Sequence, residues 1–198
     1  MMSRTIAWDD GVWEHQPPSQ RAEGGSLVVA AREGSDAWVD TYYGFVHDSA
    51  HALLVPAPTS AGFEVSFLAD YDQLYDQAGL MITADGGHWV KSGVEISDGV
   101  PQVGAVVTGE AGSDWSAAPV PAWAGREVTI RASLDRGAVI LRARVDAEPW
   151  QFLRLAPLPA GSLRVGPYLG APTRPGLSVT FTGFVVGDPD PQLHLEDP

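Results

Sequence analysis

Lys91 and Glu95 are the side chains of this sequence best placed to do chemistry. They stand four apart in Trp89-Val90-Lys91-Ser92-Gly93-Val94-Glu95, so in an extended strand both share one face with Trp89. A carboxylate and an ammonium side by side can hydrogen-bond a hydroxylated ligand, and an indole beside them offers flat apolar area for the C–H face of a sugar. Glu95 is also the candidate general acid or base. The nearest carboxylate, Asp98, is three positions on and points to the opposite face of a regular strand, so the paired carboxylates of a retaining glycosidase are absent. Asp72 or Asp76 could supply a partner across the strands. By parity Asp76 points coreward beside Ala78, where it needs loop amides or an arginine. Lys91, if close, lowers the Glu95 pKa.

Gln77, Trp89, Lys91 and Glu95 form the floor of the expected groove, with Tyr42, Trp115, Arg144 and Tyr168 as its walls. Against this stands a plainer reading, a decorated outer face with single exposed apolar groups. Trp38 and Trp150 are expected in ordinary packing, and Arg142 with Arg144 as solvated arginines. His47 and His51 have the spacing of a metal pair on a helix, but their segment carries no helical pattern. Asp9-Asp10 and Asp188 to Asp190 lack a full calcium-ligand set. No phosphate loop, dinucleotide fingerprint or Ser/His/Asp block occurs, so neither metal nor cofactor is expected.

The elements that must hold these groups read as strands. Leu74 to Ile82 and His88 to Ile96 alternate, and Ala84-Asp85-Gly86-Gly87 between them has hairpin-turn chemistry. Further strands are expected around Trp13 and over Ser26–Arg32, Trp38–Val46, Gly62–Asp70, Val103–Thr108, Glu127–Leu134, Ala138–Val145, Trp150–Leu155, Leu163–Leu169 and Leu177–Val186. Val55 to Ala61, with two prolines, reads as a connection. That makes about a dozen strands with turns at sandwich spacing and no helix. The fold class is all-β: a two-sheet antiparallel β-sandwich of jelly-roll type. One domain covers residues 1–187, and 188–198 form an acidic, Pro-rich tail expected to be loosely held.

Composition agrees with this and excludes several functions. The 198 residues fit one domain, 44% are hydrophobic, and 22 Gly with 16 Pro suit many turns. A net charge of −13 repels nucleic acid and anionic lipid, so neither is an expected partner. Without cysteine there is no disulfide or thiolate site. No membrane-length apolar run or signal-type N-terminus appears, which makes a cytoplasmic location the default. Open sheet edges leave homodimerisation undecided.

The blocks SDAWVDTYYGFVHDSAH, YDQAGLMI, HWVKSGVE, DWS and PWQFLRL resemble a family of concanavalin A-like jelly rolls (domain of unknown function 1349, regulator-of-enolase-like). The likeness runs from about Trp13 to Phe184 and implies a lectin- or glucanase-like sandwich with a concave sheet face. One block departs: the family's Asp-Gly turn before Trp150 is Asp146-Ala147 here. The family carries no agreed activity. Three functions follow as expectations: carbohydrate recognition on the concave face, processing of a small sugar or sugar acid with Glu95 as acid/base, and a regulatory protein-binding module.

Overall fold

The computed structural model describes residues 3–158 and 161–194. Its strands are β1 (Arg4–Thr5), β2 (Val12–Glu14), β3 (Ser19–Glu23), β4 (Ser26–Ala30), β5 (Ala37–Val39), β6 (Val46–Asp48), β7 (His51–Ala57), β8 (Ala61–Ala69) and β9 (Gln77–Thr83). They continue as β10 (Trp89–Ser97), β11 (Val100–Gly109), β12 (Gly112–Pro119), β13 (Val128–Asp135), β14 (Ala138–Val145), β15 (Gln151–Pro157), β16 (Leu163–Gly170) and β17 (Ser178–Gly187). One sheet runs β15-β14-β13-β8-β17-β4-β3, with β1 on β17; the other runs β12-β11-β10-β9-β16-β7-β2. All strand pairs within them are antiparallel, giving the two-layer sandwich that the alternation implies.

Side chains of alternate parity meet between the layers. Phe63, Phe67, Phe181 and Phe184 of the first sheet pack with Leu80, Ile82, Val90 and Val94 of the second, all 2% exposed or less. Burying each such side chain contributes roughly 1.5–3 kcal/mol. Asp76 shares this inward side and is fully buried. Arg174 grips its carboxylate at 2.6–3.1 Å, and the backbone N–H groups of Asp72 and Gln73 donate to it at 3.0 and 3.1 Å. Loop amides and an arginine thus satisfy it, and it is a structural anchor for the turn that enters β9.

Four expectations change. The Trp38–Val46 strand is interrupted: β5 and β6 pair with each other as a separate hairpin, Val39 opposite Val46 and Ala37 opposite Asp48. Its tip turns through Asp40, Tyr42 and Gly44, all at positive φ, and the Trp38 indole donates to Thr41 O at 3.0 Å to hold it. β7 was not among the expected strands. Its His51 to Val55 run is buried on both faces, so there is no alternation to read. The tail is tied down as far as Leu193. Asp190 accepts from Arg131 at 2.7 Å and Arg142 at 3.0 Å, Arg142 also reaches Leu193 O, and the Asp190 N–H meets Ser133 Oγ. Arg142 is therefore an ion-pair anchor instead of a solvated arginine. The final four residues lie outside the described part.

Candidate ligand-binding site

The site lies on the outward face of the second sheet, where the β5–β6 hairpin covers part of it. β9 and β10 pair with Gln77 opposite Glu95, Gly79 opposite Gly93 and Met81 opposite Lys91. Trp89, Lys91 and Glu95 therefore do look out of the sandwich together, while Val90 and Val94 are core. The glycine pair lets the strands approach closely, since a Cβ at position 79 would stand 2.1 Å from Ser92 O. It also leaves no side chain between Lys91 and Gln77.

Lys91 is only 3% exposed. Its Nζ donates to Gln77 Oε1 at 2.7 Å and Ala37 O at 2.9 Å, and Asp36 Oδ1 lies 3.5 Å away. Gln77 Nε2 in turn donates to Asp36 Oδ1 at 3.1 Å and Tyr75 O at 3.3 Å. The three N–H bonds of the ammonium thus face three oxygens, which satisfies a buried charge. Lys91 is therefore not the free cation that an acidic ligand group would need.

Glu95 is the exception in this network. Among the described residues no group donates a hydrogen bond to its carboxylate, and it lines the cavity above the floor. Burial pushes its pKa up from 4.5 to about 7; Lys91 acts in the opposite direction and Asp36 adds to the rise. The expected lowering by Lys91 is present but outweighed, because desolvation disfavours the charged form more than an ammonium already engaged elsewhere restores it. A carboxyl with this pKa exchanges its proton near neutrality.

The roof is aromatic. Trp38, Tyr43, Phe45 and His47 of the hairpin face Glu95 across about 230 Å³, with Tyr75 and Trp115 at the sides. Tyr43 and Phe45 stack at 5.2 Å, Trp38 meets Tyr43 edge-on at 5.8 Å, and Phe45 meets His47 at 4.5 Å. The Tyr43 and Tyr75 hydroxyls lie 3.3 Å apart, and that bond pushes the Tyr75 pKa up to about 12. Ser113 Oγ accepts the Val39 N–H at 2.9 Å and fastens the hairpin to β12. A second small core of Ala37, Ala50, Ala52, Leu54, Met81 and Tyr168 seats its other flank.

Of the expected site residues, Gln77, Lys91, Glu95 and Trp115 come together around this cavity. Trp89 has the expected parity but sits on the far side of the hairpin. There it packs on the second core and lines a separate cavity with His15, His47, His88 and Arg164. Tyr168 is 3% exposed, underneath Lys91 and 6.0 Å from its Nζ, so it is support and no wall. Tyr42 is 94% exposed at the hairpin tip, turned away from the cavity that its neighbour Tyr43 lines. Arg144 belongs to the other sheet, on β14. It stacks over Trp150 at 4.3 Å and approaches Glu64, which removes it from the groove. The residues sequence reasoning missed are Asp36, Trp38, Tyr43, Phe45, His47 and Tyr75. Asp40 and Gly44, both turn formers, were the signal that the aromatic run doubles back.

His51 cannot join His47 on a metal. Its Nε2 accepts the Arg32 N–H at 3.0 Å, its Nδ1–H donates to His15 O at 2.6 Å, and burial holds its pKa below the usual value. Both ring nitrogens are occupied. Among the described residues no group of three or more His, Asp or Glu side chains is placed to hold a metal ion, and no helix is long and apolar enough to cross a membrane.

The chain as a whole is similar to several known proteins. Regulation of enolase protein 1 of Saccharomyces cerevisiae is 36% identical over 188 residues, 94% of this chain and 94% of its own. The crystal structure of a functionally unknown Saccharomyces cerevisiae protein superposes with a TM-score of 0.86 at 35% identity, covering 93% of this chain and 100% of that one. More distant likenesses show the fold alone. A xylan β-1,4-xylosidase from Bacillus halodurans C-125 has a TM-score of 0.65 at 13% identity, over 88% of this chain and 40% of that one. An alginate lyase from Klebsiella pneumoniae has 0.56 at 11%, over 86% and 84%. Matching the family over residues 13–189, the chain belongs to the proteins of unknown function grouped as DUF1349.

Proposed function

We propose that this protein binds a small hydroxylated, sugar-like molecule in the cavity between the β5–β6 hairpin and the outward sheet face. One observation carries the reading: among the described residues no group donates a hydrogen bond to the Glu95 carboxyl where it faces an aromatic-walled cavity, while the Lys91 ammonium, the Gln77 amide and the Asp36 carboxylate beside it are paired with one another. A half-buried carboxyl without a donor is costly unless something else supplies one. A ligand hydroxyl does so, and Trp115, Tyr43 and Phe45 give its carbon skeleton apolar area. The sandwich of the xylosidase and the lyase is of the same general form, which supports a sugar-related fold.

A thermal-shift screen of neutral sugars, polyols, amino alcohols and sugar acids tests this. We expect a hit that raises the melting temperature of the parent protein and fails to do so in Trp115→Ala and Glu95→Gln. Hits that persist unchanged in both variants, or no hit at all, would overturn the reading.

A second reading, turnover of the ligand, rests on the Glu95 pKa of about 7, which suits proton transfer at neutral pH. The name of the yeast relative favours a regulatory role instead. The hairpin does cover part of the face, as a protein-binding module would allow, yet it leaves a ligand-sized cavity beneath it.

A further inference from the structure

Resting on that reading, we infer that the ligand carries a positive charge: an ammonium, primary or quaternary, on a small hydroxylated molecule. Among the described residues, no lysine or arginine that lines the cavity is free of a protein partner. Lys91 directs its N–H bonds to Gln77, Ala37 and Asp36, all of them protein groups, so an anionic ligand finds nothing to replace its water. The charges around the floor are Asp36 and Lys91, which offset each other, and Glu95, which is left over. His47 is the other titratable group at the roof, and the Tyr43–Tyr75 hydroxyl pair stands beside it, with Asp98 acting on Tyr75 from beyond.

Around the leftover carboxylate stand Trp38, Tyr43, Phe45, Tyr75 and Trp115. Aromatic faces attract cations through the ring quadrupole, and several rings around one carboxylate make a cage for an alkylammonium. The same rings gain little from a carboxylate or phosphate. The net charge of −13 works in the same direction, drawing cations toward the surface and repelling anions.

Binding should also release a proton. Glu95 is about half protonated near pH 7, and a cation beside it favours the ionised form. Affinity therefore rises with pH up to about 7 and levels off above it, with a limiting slope of about tenfold per pH unit below.

Calorimetry on the full chain separates the possibilities. Choline is titrated against its uncharged isostere 3,3-dimethylbutan-1-ol at pH 8 and pH 5.5, and D-glucosamine against D-glucose and D-glucuronate at pH 7, where its amine is still mostly protonated, and pH 5.5. We expect choline at pH 8 or glucosamine at pH 7 to bind at least tenfold more tightly than its neutral counterpart, with the advantage reduced at pH 5.5. Glu95→Gln should abolish both the preference and the pH dependence, and Trp115→Ala should weaken cation binding without unfolding the protein. Neutral compounds binding equally well, or glucuronate binding best, would overturn the cation inference and leave the sugar-like reading standing. No binding by any of the five would overturn both.

Discussion

Lys91 and Glu95 share one face of β10 with only Gly93 between them on that face, yet they do not form an ion pair. The ammonium is bound to Gln77, Ala37 and Asp36, and the carboxylate is left facing the cavity. That division makes Lys91 part of the scaffold and Glu95 part of the site.

The first consequence is a pH dependence of stability. Folding raises the Glu95 pKa from 4.5 to about 7, so between these values the folded chain holds a proton that the unfolded chain has lost. Stability from this group is fully present below pH 4.5 and is lost as pH rises through about 7. Glu95→Gln removes the titration. Denaturant unfolding should find the variant more stable than the parent at pH 8.5, by at most about 3 kcal/mol, and no more stable at pH 4.5. Parallel pH profiles for the two proteins would contradict this.

Removing Lys91 tests the same network from the other side. Lys91→Met leaves Asp36 and Gln77 without their buried donor and should cost about 3 kcal/mol of stability. It also takes away the one influence that lowers the Glu95 pKa. Carbon-detected NMR titration of the Glu95 carboxyl should then give a value above the parent's. A value that fell would mean that Lys91 does not act on Glu95 electrostatically.

How much of this the sequence shows depends on what a period of two can encode. Alternation states which side of a strand a residue occupies, so the shared outward side of Trp89, Lys91 and Glu95 and the inward side of Asp76 are legible. It does not state what lies over that side. Gln77 and Lys91 look solvated because they are polar, but Asp36 and Ala37, 41 and 54 residues earlier, cover and pair them. No local pattern reports such a contact. Tyr42 and Tyr43 mark the other limit. Inside a strand, neighbours take opposite faces, but here the positive φ at Tyr42 belongs to a turn, and turn geometry sends Tyr42 to solvent and Tyr43 to the cavity.

Asp76 should matter to stability more than any surface acid. Arg174 and two backbone N–H groups converge on it in a fully buried setting. Asp76→Ala strands the Arg174 guanidinium and should cost about 3–5 kcal/mol. Replacing Asp114 by Ala, a 68%-exposed partner of Arg154, should cost about 1 kcal/mol or less. Equal losses in urea titrations would show that the buried anchor is misassigned.

The two tryptophans of the expected groove should behave in opposite ways. Trp115 is 39% exposed on β12, at the edge of its sheet, and lines the cavity beside Glu95. Trp89 packs against the small core that seats the hairpin and lies on the hairpin's far side. Trp115→Ala should therefore remove ligand binding while changing the melting temperature little. Trp89→Ala should cost roughly 2–3 kcal/mol by leaving a gap under the hairpin, because an indole is lost from a packed site. Its binding defect should be indirect: the aromatic roof is held in place partly by that small core, so loosening it raises the entropy lost when the ligand orders the roof again. Hydrogen exchange of the β5–β6 amides distinguishes the two cases, faster in Trp89→Ala and unchanged in Trp115→Ala. If both variants left the hairpin amides untouched and both lost binding, Trp89 would be a direct contact after all, and the cavity would extend beneath the hairpin to its far side.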